Sequence, residues 1–257
     1  MTALRVVVFG LFGLLIGSFN SVLVHRIPRK ESVVAPRSRC PVCGTQIRAL
    51  DNVPVVSWVL LRGRCRACGE RIGGLYPLLE LATGALYVGA ALRFDRLLPA
   101  VLGAVLMGLM PAVGLIDLRH RIIPNLIVYP AFVGSAVAIV LGDSLDVGVD
   151  LIDGAIGLAA YGGAFFLIAI ISPRGMGMGD VKLNALTGLV LGSIHLPSVG
   201  VAAGAGILLG GVGALIAMAR GAGRRGAIPF GPFLAAGAVV GTLFGPDLAD
   251  LYLRTLS

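Results

Sequence analysis

Two aspartates beside long apolar stretches are the residues best placed to do chemistry. Asp117 lies in Ile116-Asp117-Leu118, where basic residues and a proline follow an apolar run, and Asp180 lies in the glycine-rich stretch 175–182. An acid in such a place indicates function, because a carboxylate is costly to keep near apolar surroundings. One ionised carboxylate can activate water while a protonated one polarises a carbonyl. We expect the two groups to share a proton and titrate as a coupled pair.

The residues around Asp180 suit a close approach of another backbone. Gly177 and Gly179 lack a Cβ, and a peptide must be extended to expose its carbonyls, so we interpret both as sites of substrate backbone approach. A phosphate-binding loop is disfavoured because Lys182 lies beyond the aspartate and no strand precedes the run. We expect Lys182 to tune the electrostatics or anchor the helix end. The simpler alternative is a flexible loop with Asp180 solvated at its edge.

All four cysteines fall in two CxxC pairs that are separated by 21 residues, each pair followed by a glycine. They are Cys40, Cys43, Cys65 and Cys68. Four thiolates from two tight turns can complete a tetrahedral shell, and four protein ligands leave no position for water. The pattern therefore predicts one structural Zn²⁺. Two disulfides are the alternative, which a reducing cytoplasm disfavours.

The composition is that of a membrane protein. Of 257 residues, 57% are hydrophobic and 13% charged, and the mean hydropathy is +0.94. Such a chain is too apolar for a soluble domain of this size and predicts an all-α polytopic membrane protein in contact with lipid. The pI near 9.9 does not indicate nucleic acid binding, because the basic residues are concentrated in a few loops.

Apolar stretches predict about eight transmembrane helices. They cover residues 6–24, 75–92, 97–116, 124–141, 151–171, 183–194, 198–219 and 228–244. The stretch 183–194 is short for a full span, which predicts a tilted or bent helix. The chain accordingly divides into a first transmembrane helix at 1–24, a cytoplasmic cysteine-rich zinc domain of zinc-ribbon type at 25–73, and a transmembrane domain at 74–257.

The basic residues orient these helices. Assigning the loops alternately to the two sides places 17 of the 21 basic residues inside and leaves Arg5, Arg93, Arg96 and Arg254 outside. Positive charge is enriched in cytoplasmic loops, so this asymmetry predicts that both termini lie outside. It also places Asp117 and Asp180 on the same, cytoplasmic, side.

Three motifs in this order resemble the type IV prepilin peptidases, a family of GxGD intramembrane aspartic proteases that also N-methylate their product. The motifs are Gly175-Met176-Gly177-Met178-Gly179-Asp180, the stretch Ile116 to Asn125 that reads IDLRHRIIPN, and the paired CxxC motifs. The resemblance implies that Asp117 and Asp180 are catalytic. It also implies cleavage of prepilins or pseudopilins behind a basic leader at the bacterial inner membrane, and methylation of the new amino-terminus with S-adenosylmethionine.

Other stretches match the family in part. Glu80 matches a family acid that could hold a cationic methyl donor or the new amine, or could be a helix N-terminal acid favoured by the macrodipole. Phe230-Gly231-Pro232-Phe233 matches a stretch beside the site, although a proline-marked helix start explains it equally well. Gly17-Ser18-Phe19-Asn20-Ser21-Val22 resembles GSFLNV, with Asn20 and Ser21 in place of Leu and Asn.

Two other classes of function use similar features. A proton- or ion-coupled transporter also employs paired membrane acids and broken helices, but it places the acids near mid-membrane rather than at helix ends. A zinc-dependent scaffold or sensor would use the cysteine loop as a binding module. That reading leaves the two aspartate motifs unexplained.

Overall fold

The computed structural model describes residues 3–172, 176–220 and 229–256, in which the regular structure is helical and strands are limited to isolated bridges. Gly175 of the glycine-rich stretch, and Arg174, Arg224 and Arg225 of the loop charges, lie outside these ranges. The helices are α1 (Ala3–Arg26), a short α2 (Val56–Leu60), α3 (Leu75–Arg93), α4 (Leu97–His120), α5 (Asn125–Ser144), α6 (Leu151–Gly157), α7 (Gly163–Ile171), α8 (Met178–His195), α9 (Pro197–Ala219) and α10 (Gly231–Leu256).

Seven helical segments of the described chain are long and apolar enough to cross a membrane. A π-helical segment at Leu158–Gly162 joins α6 and α7 into one continuous span, Leu151–Ile171. The other six spans comprise α1, α3, α4, α5, α9 and α10. The predicted all-α multi-pass architecture is therefore confirmed, with the cysteine-rich region between the first two spans.

The predicted helix at 183–194 corresponds to α8, which is not among the seven candidate membrane spans. It has 18 residues, begins at Met178 rather than near residue 183, and therefore contains Asp180 in its first turn. The sequence pattern missed this start because it placed the glycine run outside the helix. Most of α8 after Asp180 is buried by other helices, so its polar residues face protein. Gly157 of α6 packs backbone to backbone against Gly188 of α8, which brings the two helices very close.

Two other helices are longer than the apolar pattern predicts. α4 continues past residue 116 to His120, so Asp117 lies within its last turns. It ends where Arg121 takes a left-handed conformation (φ 56°) and its N–H donates to the carbonyl of Asp117. α10 continues past residue 244 to Leu256 through Pro246. The sequence pattern missed these turns because Asp247, Asp250 and Arg254 interrupt the apolar run there.

α1 packs closely against α3 and α4 through small and polar residues. A Cβ on Gly17 would lie 2.6 Å from the Cα of Glu80, so only glycine permits this approach. The fully buried Asn20 donates to the Gly108 carbonyl of α4 at 2.8 Å and to the Thr83 hydroxyl of α3 at 3.3 Å. The departure at Asn20 from the family-like stretch thus ties three helices together.

Both ends of the described chain lie at one end of the bundle. Arg5 of α1 donates to the carbonyl of Phe94 in the α3–α4 loop at 2.7 Å. Arg93 at the end of α3 pairs with Asp247 of α10 at 3.2 Å. The cysteine-rich region follows the opposite end of α1, and α4, α8 and α10 bring the two aspartates to that same opposite end.

Candidate functional site

Asp117 is held by the start of the last helix. Its side chain is buried, with the residue 6% exposed, and its Oδ2 accepts the backbone N–H of Gly231 at 2.9 Å. The first N–H groups of a helix have no partner within the helix, so a carboxylate facing them is favoured. A Cβ on Gly231 would lie 2.6 Å from Asp117 Oδ2. Residue 231 must therefore be glycine for the carboxylate to occupy this position.

Asp180 is oriented by its own helix. It is the third residue of α8, and its Oδ2 accepts the N–H of Gly177, the residue that precedes the helix, at 3.1 Å. This is the carboxylate half of a capping box. Asp180 is half-buried and Gly177 is exposed, so this acid faces an accessible edge of the protein.

The fold brings the two predicted acids together. They come from α4 and α8, whose cytoplasmic-side ends are joined where Gly179, the neighbour of Asp180, packs on Ile123 of the loop that follows α4. Each carboxylate has one oxygen fixed by a backbone N–H, from Gly231 and Gly177 respectively. Two oriented carboxyl groups at one end of the bundle can supply one acid and one base without a metal.

The neighbours of Asp180 pack α8 against adjacent elements. A Cβ on Gly179 would lie 2.8 Å from the Cβ of Ile123 in the α4–α5 loop, so helix packing accounts for this glycine. Lys182 Nζ donates to Asn125 Oδ1 at 3.1 Å and lies 4.9 Å from the ring centroid of Tyr129. Of its two expected roles, the anchoring of a helix end is the one that these contacts to α5 support.

The Phe230-Gly231 stretch lies beside the site, and sequence reasoning left its role open. Phe230 stacks at 6.5 Å on Phe165, which contacts Tyr161 of the π-helical segment edge-on at 5.3 Å. Gly231 then contacts Asp117. The available sequence signal was the start of a helix, where free N–H groups can receive an acid, but nothing in the pattern identified which acid.

The four predicted metal ligands form one cluster. Their Sγ atoms all lie within 4.8 Å of one another, and Cys40 Sγ is 3.8 Å from Cys68 Sγ. Four sulfurs placed about 2.3 Å from a central Zn²⁺ in a tetrahedron are roughly 3.8 Å apart. The cluster therefore fits one metal ion. All four cysteines are free, so the structure does not contain the alternative pair of disulfides.

Each cysteine pair closes through a glycine turn. Gly44 and Gly69 adopt φ of 71° and 74°, and their N–H groups donate to the carbonyls of Cys40 and Cys65 at 2.9 Å. Glycine takes this left-handed conformation without strain. The predicted turn after each CxxC pair is therefore present.

The thiols influence one another's ionisation. Hydrogen bonds from the side chain and backbone of Thr45 lower the pKa of Cys43 to about 6. The Glu70 N–H lowers the pKa of Cys68, but desolvation and the neighbouring thiols raise it, to about 12 in all. Ionisation of one thiol therefore opposes ionisation of the next, as expected for sulfurs this close.

Glu80 joins the transmembrane helices to the cysteine-rich region. It is 8% exposed and its Oε2 accepts the N–H of Val55 at 2.7 Å. α3 begins at Leu75, which puts Glu80 in the second turn, beyond the first-turn position that the macrodipole favours most. Glu80 also lines a cavity of about 920 Å³ between the cysteine-rich region and the ends of α1 and α3.

Comparison with known proteins covers nearly the whole chain. The family model described as Bacterial Peptidase A24 N-terminal domain matches residues 11–94, and the model described as Type IV leader peptidase family matches residues 104–245. No solved structure matches the chain significantly.

Curated relatives carry one shared name, prepilin leader peptidase/N-methyltransferase. The protein of Bacillus subtilis (strain 168) is 34% identical over 95% of this chain and 96% of its own length. That of Burkholderia pseudomallei (strain 1026b) is 35% identical over 91% and 83%, and that of Pseudomonas aeruginosa is 34% identical over 95% and 92%. None of these matches supports a transporter. The chain belongs to the type IV leader peptidase family.

Proposed function

We propose that this chain is an intramembrane aspartic endopeptidase that removes the basic leader from prepilins or pseudopilins, with Asp117 and Asp180 as its catalytic pair. The observation that carries this proposal is the convergence of the two acids, each with one oxygen held by a backbone N–H. Membership of the leader peptidase family supports the same reaction.

The two carboxyl groups divide the work of hydrolysis. The ionised one takes a proton from water, and the oxygen of that water forms a bond to the scissile carbonyl carbon. The protonated one donates to the carbonyl oxygen as charge develops there. Collapse of the tetrahedral species breaks the C–N bond, and the leaving amine takes a proton from the pair. The backbone N–H groups of Gly231 and Gly177 keep both acids oriented throughout.

Reconstituted cleavage of a prepilin tests this proposal with Asp117→Asn and Asp180→Asn. Each change keeps the side-chain volume and removes the charge, so the protein should fold while the rate falls by at least about 10³-fold. Asp95→Asn is the matched control, because Asp95 is exposed at the other end of the bundle. Wild-type cleavage by either dyad variant would exclude the aspartic mechanism.

We infer that the four cysteines bind one structural Zn²⁺ and that the chain forms a cysteine-rich domain at 25–73 beside a peptidase domain at 74–257. The fit of the sulfur cluster to a tetrahedral site supports the metal. The concentration of arginines in this region supports a cytoplasmic location, with both termini outside, in the bacterial inner membrane. Its partners are then pilin-type substrates and lipid rather than nucleic acid.

The second proposed activity is methylation of the new amino-terminus, as the shared name of the relatives indicates for those proteins. S-adenosylmethionine, when bound, supplies a methyl group on a sulfonium. The amine lone pair forms the N–C bond, the C–S electrons stay on sulfur, and the amine loses a proton. The mass of processed substrate should therefore increase by one methyl group when the donor is present. An unchanged mass would remove this activity from the proposal.

A further inference from the structure

We propose that α2 and the turn before it anchor the cysteine-rich region to an anionic lipid bilayer, by inserting an apolar face into the headgroup layer. We call this face the α2 patch. It consists of Leu50, Val53, Val56, Val59 and Leu60, all of them exposed. The proposal rests on the multi-pass fold and does not depend on the reaction that the protein catalyses.

α2 has its apolar and polar sides reversed relative to a helix on a soluble domain. Val56, Val59 and Leu60 are 52%, 59% and 75% exposed. They are spaced by three and four residues from Val56, which places them on one face. Ser57, whose hydroxyl would suit solvent, is only 5% exposed. An amphipathic helix turns its apolar face away from water, so this arrangement indicates that an apolar medium covers the outer face.

The turn before α2 extends the same face. Ser57 Oγ donates to the Leu50 carbonyl at 2.8 Å and accepts the Val53 N–H at 3.0 Å, which fixes the 3₁₀ turn Ala49–Asn52 against α2. Leu50 is 83% exposed. The α2 patch thus collects its apolar side chains within residues 50–60, and buried hydrogen bonds of Ser57 hold the two elements together.

Contacts with α1 and α3 place the patch at the level of the membrane. Val55, immediately before α2, donates its N–H to Glu80 of α3 at 2.7 Å. A Cβ on Gly17 of α1 would lie 2.6 Å from the Cα of this same Glu80. At a rise of about 1.5 Å per residue, Glu80 is about 8 Å from the start of α3 and Gly17 about 14 Å from the end of α1. α2 therefore begins beside turns of two membrane spans and not beyond their ends.

The lipid-facing surface of α3 starts at this level. Leu78 and Leu81 lie within two residues of Glu80 and are 60% and 52% exposed. They belong to the candidate span Leu75–Arg93, whose exposed apolar side chains contact lipid in a multi-pass protein. Because Val55 is bonded to Glu80, the α2 patch lies next to that surface and extends it onto the cysteine-rich region.

The charges around the patch favour anionic lipid as its occupant. Arg48, Arg62 and Arg64 flank the patch in sequence and are exposed. Asp51, the only acid of residues 48–64, is bound by Arg66 at 2.7 Å. Basic side chains at a membrane surface are attracted to anionic headgroups, and an apolar face with basic flanks is typical of interfacial helices. An apolar partner helix would satisfy the face but not the arginines.

The wild-type protein tests this anchor directly, because trypsin cleavage after Arg48 and Arg62 releases the patch as one peptide, 49–62. Full-length protein is reconstituted into vesicles of phosphatidylcholine and phosphatidylglycerol that contain a phospholipid with a photoreactive group near the glycerol end of one acyl chain. After irradiation and digestion we expect peptide 49–62 to carry the lipid label. An unlabelled peptide 49–62 would overturn the proposal.

Peptide 40–48 is the internal control for this labelling. It contains Val42, an apolar residue of the first cysteine turn that is 65% exposed and lies outside the patch. Its label should be at most about a tenth of that on peptide 49–62, because only the patch is expected to enter the acyl boundary. Equal labelling of the two peptides would contradict a specific anchor.

A tryptophan placed in the patch distinguishes lipid from a protein partner. Leu60→Trp in a Trp58→Phe background leaves one tryptophan, because Trp58 is the only one in the chain. We expect lipids brominated near the headgroup end of the acyl chain to lower its emission at least about twofold, with little quenching by aqueous iodide. Shielding from iodide without quenching by brominated lipid would show that a second copy or a substrate helix covers the patch. Either that result or free access to iodide would overturn the proposal.

The dependence on anionic lipid separates the arginines from the apolar face. Quenching of the Leu60→Trp protein by brominated lipid should be stronger with phosphatidylglycerol than in phosphatidylcholine alone. Adding Arg62→Gln and Arg64→Gln should remove this difference. Arg37→Gln is the matched control, because Arg37 is exposed but lies outside the patch, and it should keep the difference. Equal quenching in both lipids with the arginines intact would overturn the assignment to anionic lipid.

Discussion

Gly231 offers a test of the site that leaves both carboxylates in place. Gly231→Ala would put a methyl group 2.6 Å from Asp117 Oδ2, within a buried contact that neither α4 nor α10 can easily widen. We expect cleavage to fall by about 10²-fold or more, because a small misplacement of a catalytic group has effects of that size. The measurement is kcat for prepilin cleavage at saturating substrate.

Gly114→Ala is the control for this change. Gly114 lies one turn before Asp117 on α4, and a Cβ there would meet Pro232 and Ala235 at ordinary distances of 3.6 and 3.7 Å. This variant should keep nearly wild-type cleavage. If Gly231→Ala cleaved as well as Gly114→Ala, the Gly231 N–H would have no role in orienting Asp117.

The candidate functional side chains could be predicted from the sequence, whereas their backbone partners could not. The four cysteines were predicted from residue type and spacing to form one site, and the structure clusters them. Asp117 and Asp180 were predicted in the same way, and α4 and α8 carry them to the same end of the bundle, while their catalytic role stays a prediction. The partners of Asp117 and Glu80 are the N–H groups of Gly231 and Val55. Every residue except proline has such a group, so sequence type cannot single out these two.

Lys182 anchors α8 to α5 next to Asp180. Lys182→Met should remove both the hydrogen bond to Asn125 and the contact with Tyr129. We expect roughly a tenfold loss of cleavage, far less than for Asp180→Asn, because the loss of a charged hydrogen bond at a half-exposed site is worth about 1–2 kcal/mol. Cleavage rates of both variants in one lipid system provide the comparison.

Lys182→Arg decides between anchoring and tuning. A guanidinium can still donate to Asn125 and stack on Tyr129, so this variant should recover most of the activity. The pH profile of cleavage should stay unchanged in Lys182→Met. A shifted profile would show instead that the lysine charge tunes the aspartates.

The cysteine-rich region depends on its cluster more than on a hydrophobic core. Removal of metal by a strong chelator, or Cys43→Ser, should expose residues 25–73 to limited proteolysis while the transmembrane helices stay protected. The untreated protein should contain about one equivalent of zinc by elemental analysis. A zinc content below about a tenth of an equivalent, with normal protease resistance, would contradict a structural metal.

Helix positions followed from hydropathy, but helix ends did not. The predicted 183–194 stretch missed the first turn of α8, which is capped by the Asp180 carboxylate and not marked by apolar residues. The last turns of α10 were missed because charged residues interrupt the apolar run after residue 244. Apolar periodicity indicates which residues contact lipid or the core. It does not predict helix ends that are capped by side chains or exposed to solvent.

The distribution of charge over the whole molecule predicts how the protein is oriented in the membrane. Arg5 and the last turns of α10 lie at the end of the bundle opposite the cysteine-rich region, so both termini share one side. The excess of arginine in the cysteine-rich region predicts that this shared side is outside. Reporter enzymes that are active only outside the membrane should work when fused at either terminus.

The control is the same reporter inserted after Arg37, in the exposed part of the cysteine-rich region, where it should be inactive. Activity at that insertion together with inactive terminal fusions would reverse the orientation. It would then place Asp117 and Asp180 on the wrong face for a cytoplasmic leader.

The close contact of α6 and α8 in the middle of the bundle should also affect the position of Asp180. Gly188 lies eight residues after Asp180 on α8, about 12 Å along the helix axis, and it contacts the backbone of Gly157. Because an α-helix moves largely as a rigid unit, a displacement of α8 at Gly188 also moves its first turn. A methyl group added at Gly188 would therefore displace the first turn of α8 and the Asp180 carboxylate, without any contact near the scissile bond. The contact between Gly157 and Gly188 should therefore help to position Asp180 relative to Asp117, although neither glycine lies near the two acids.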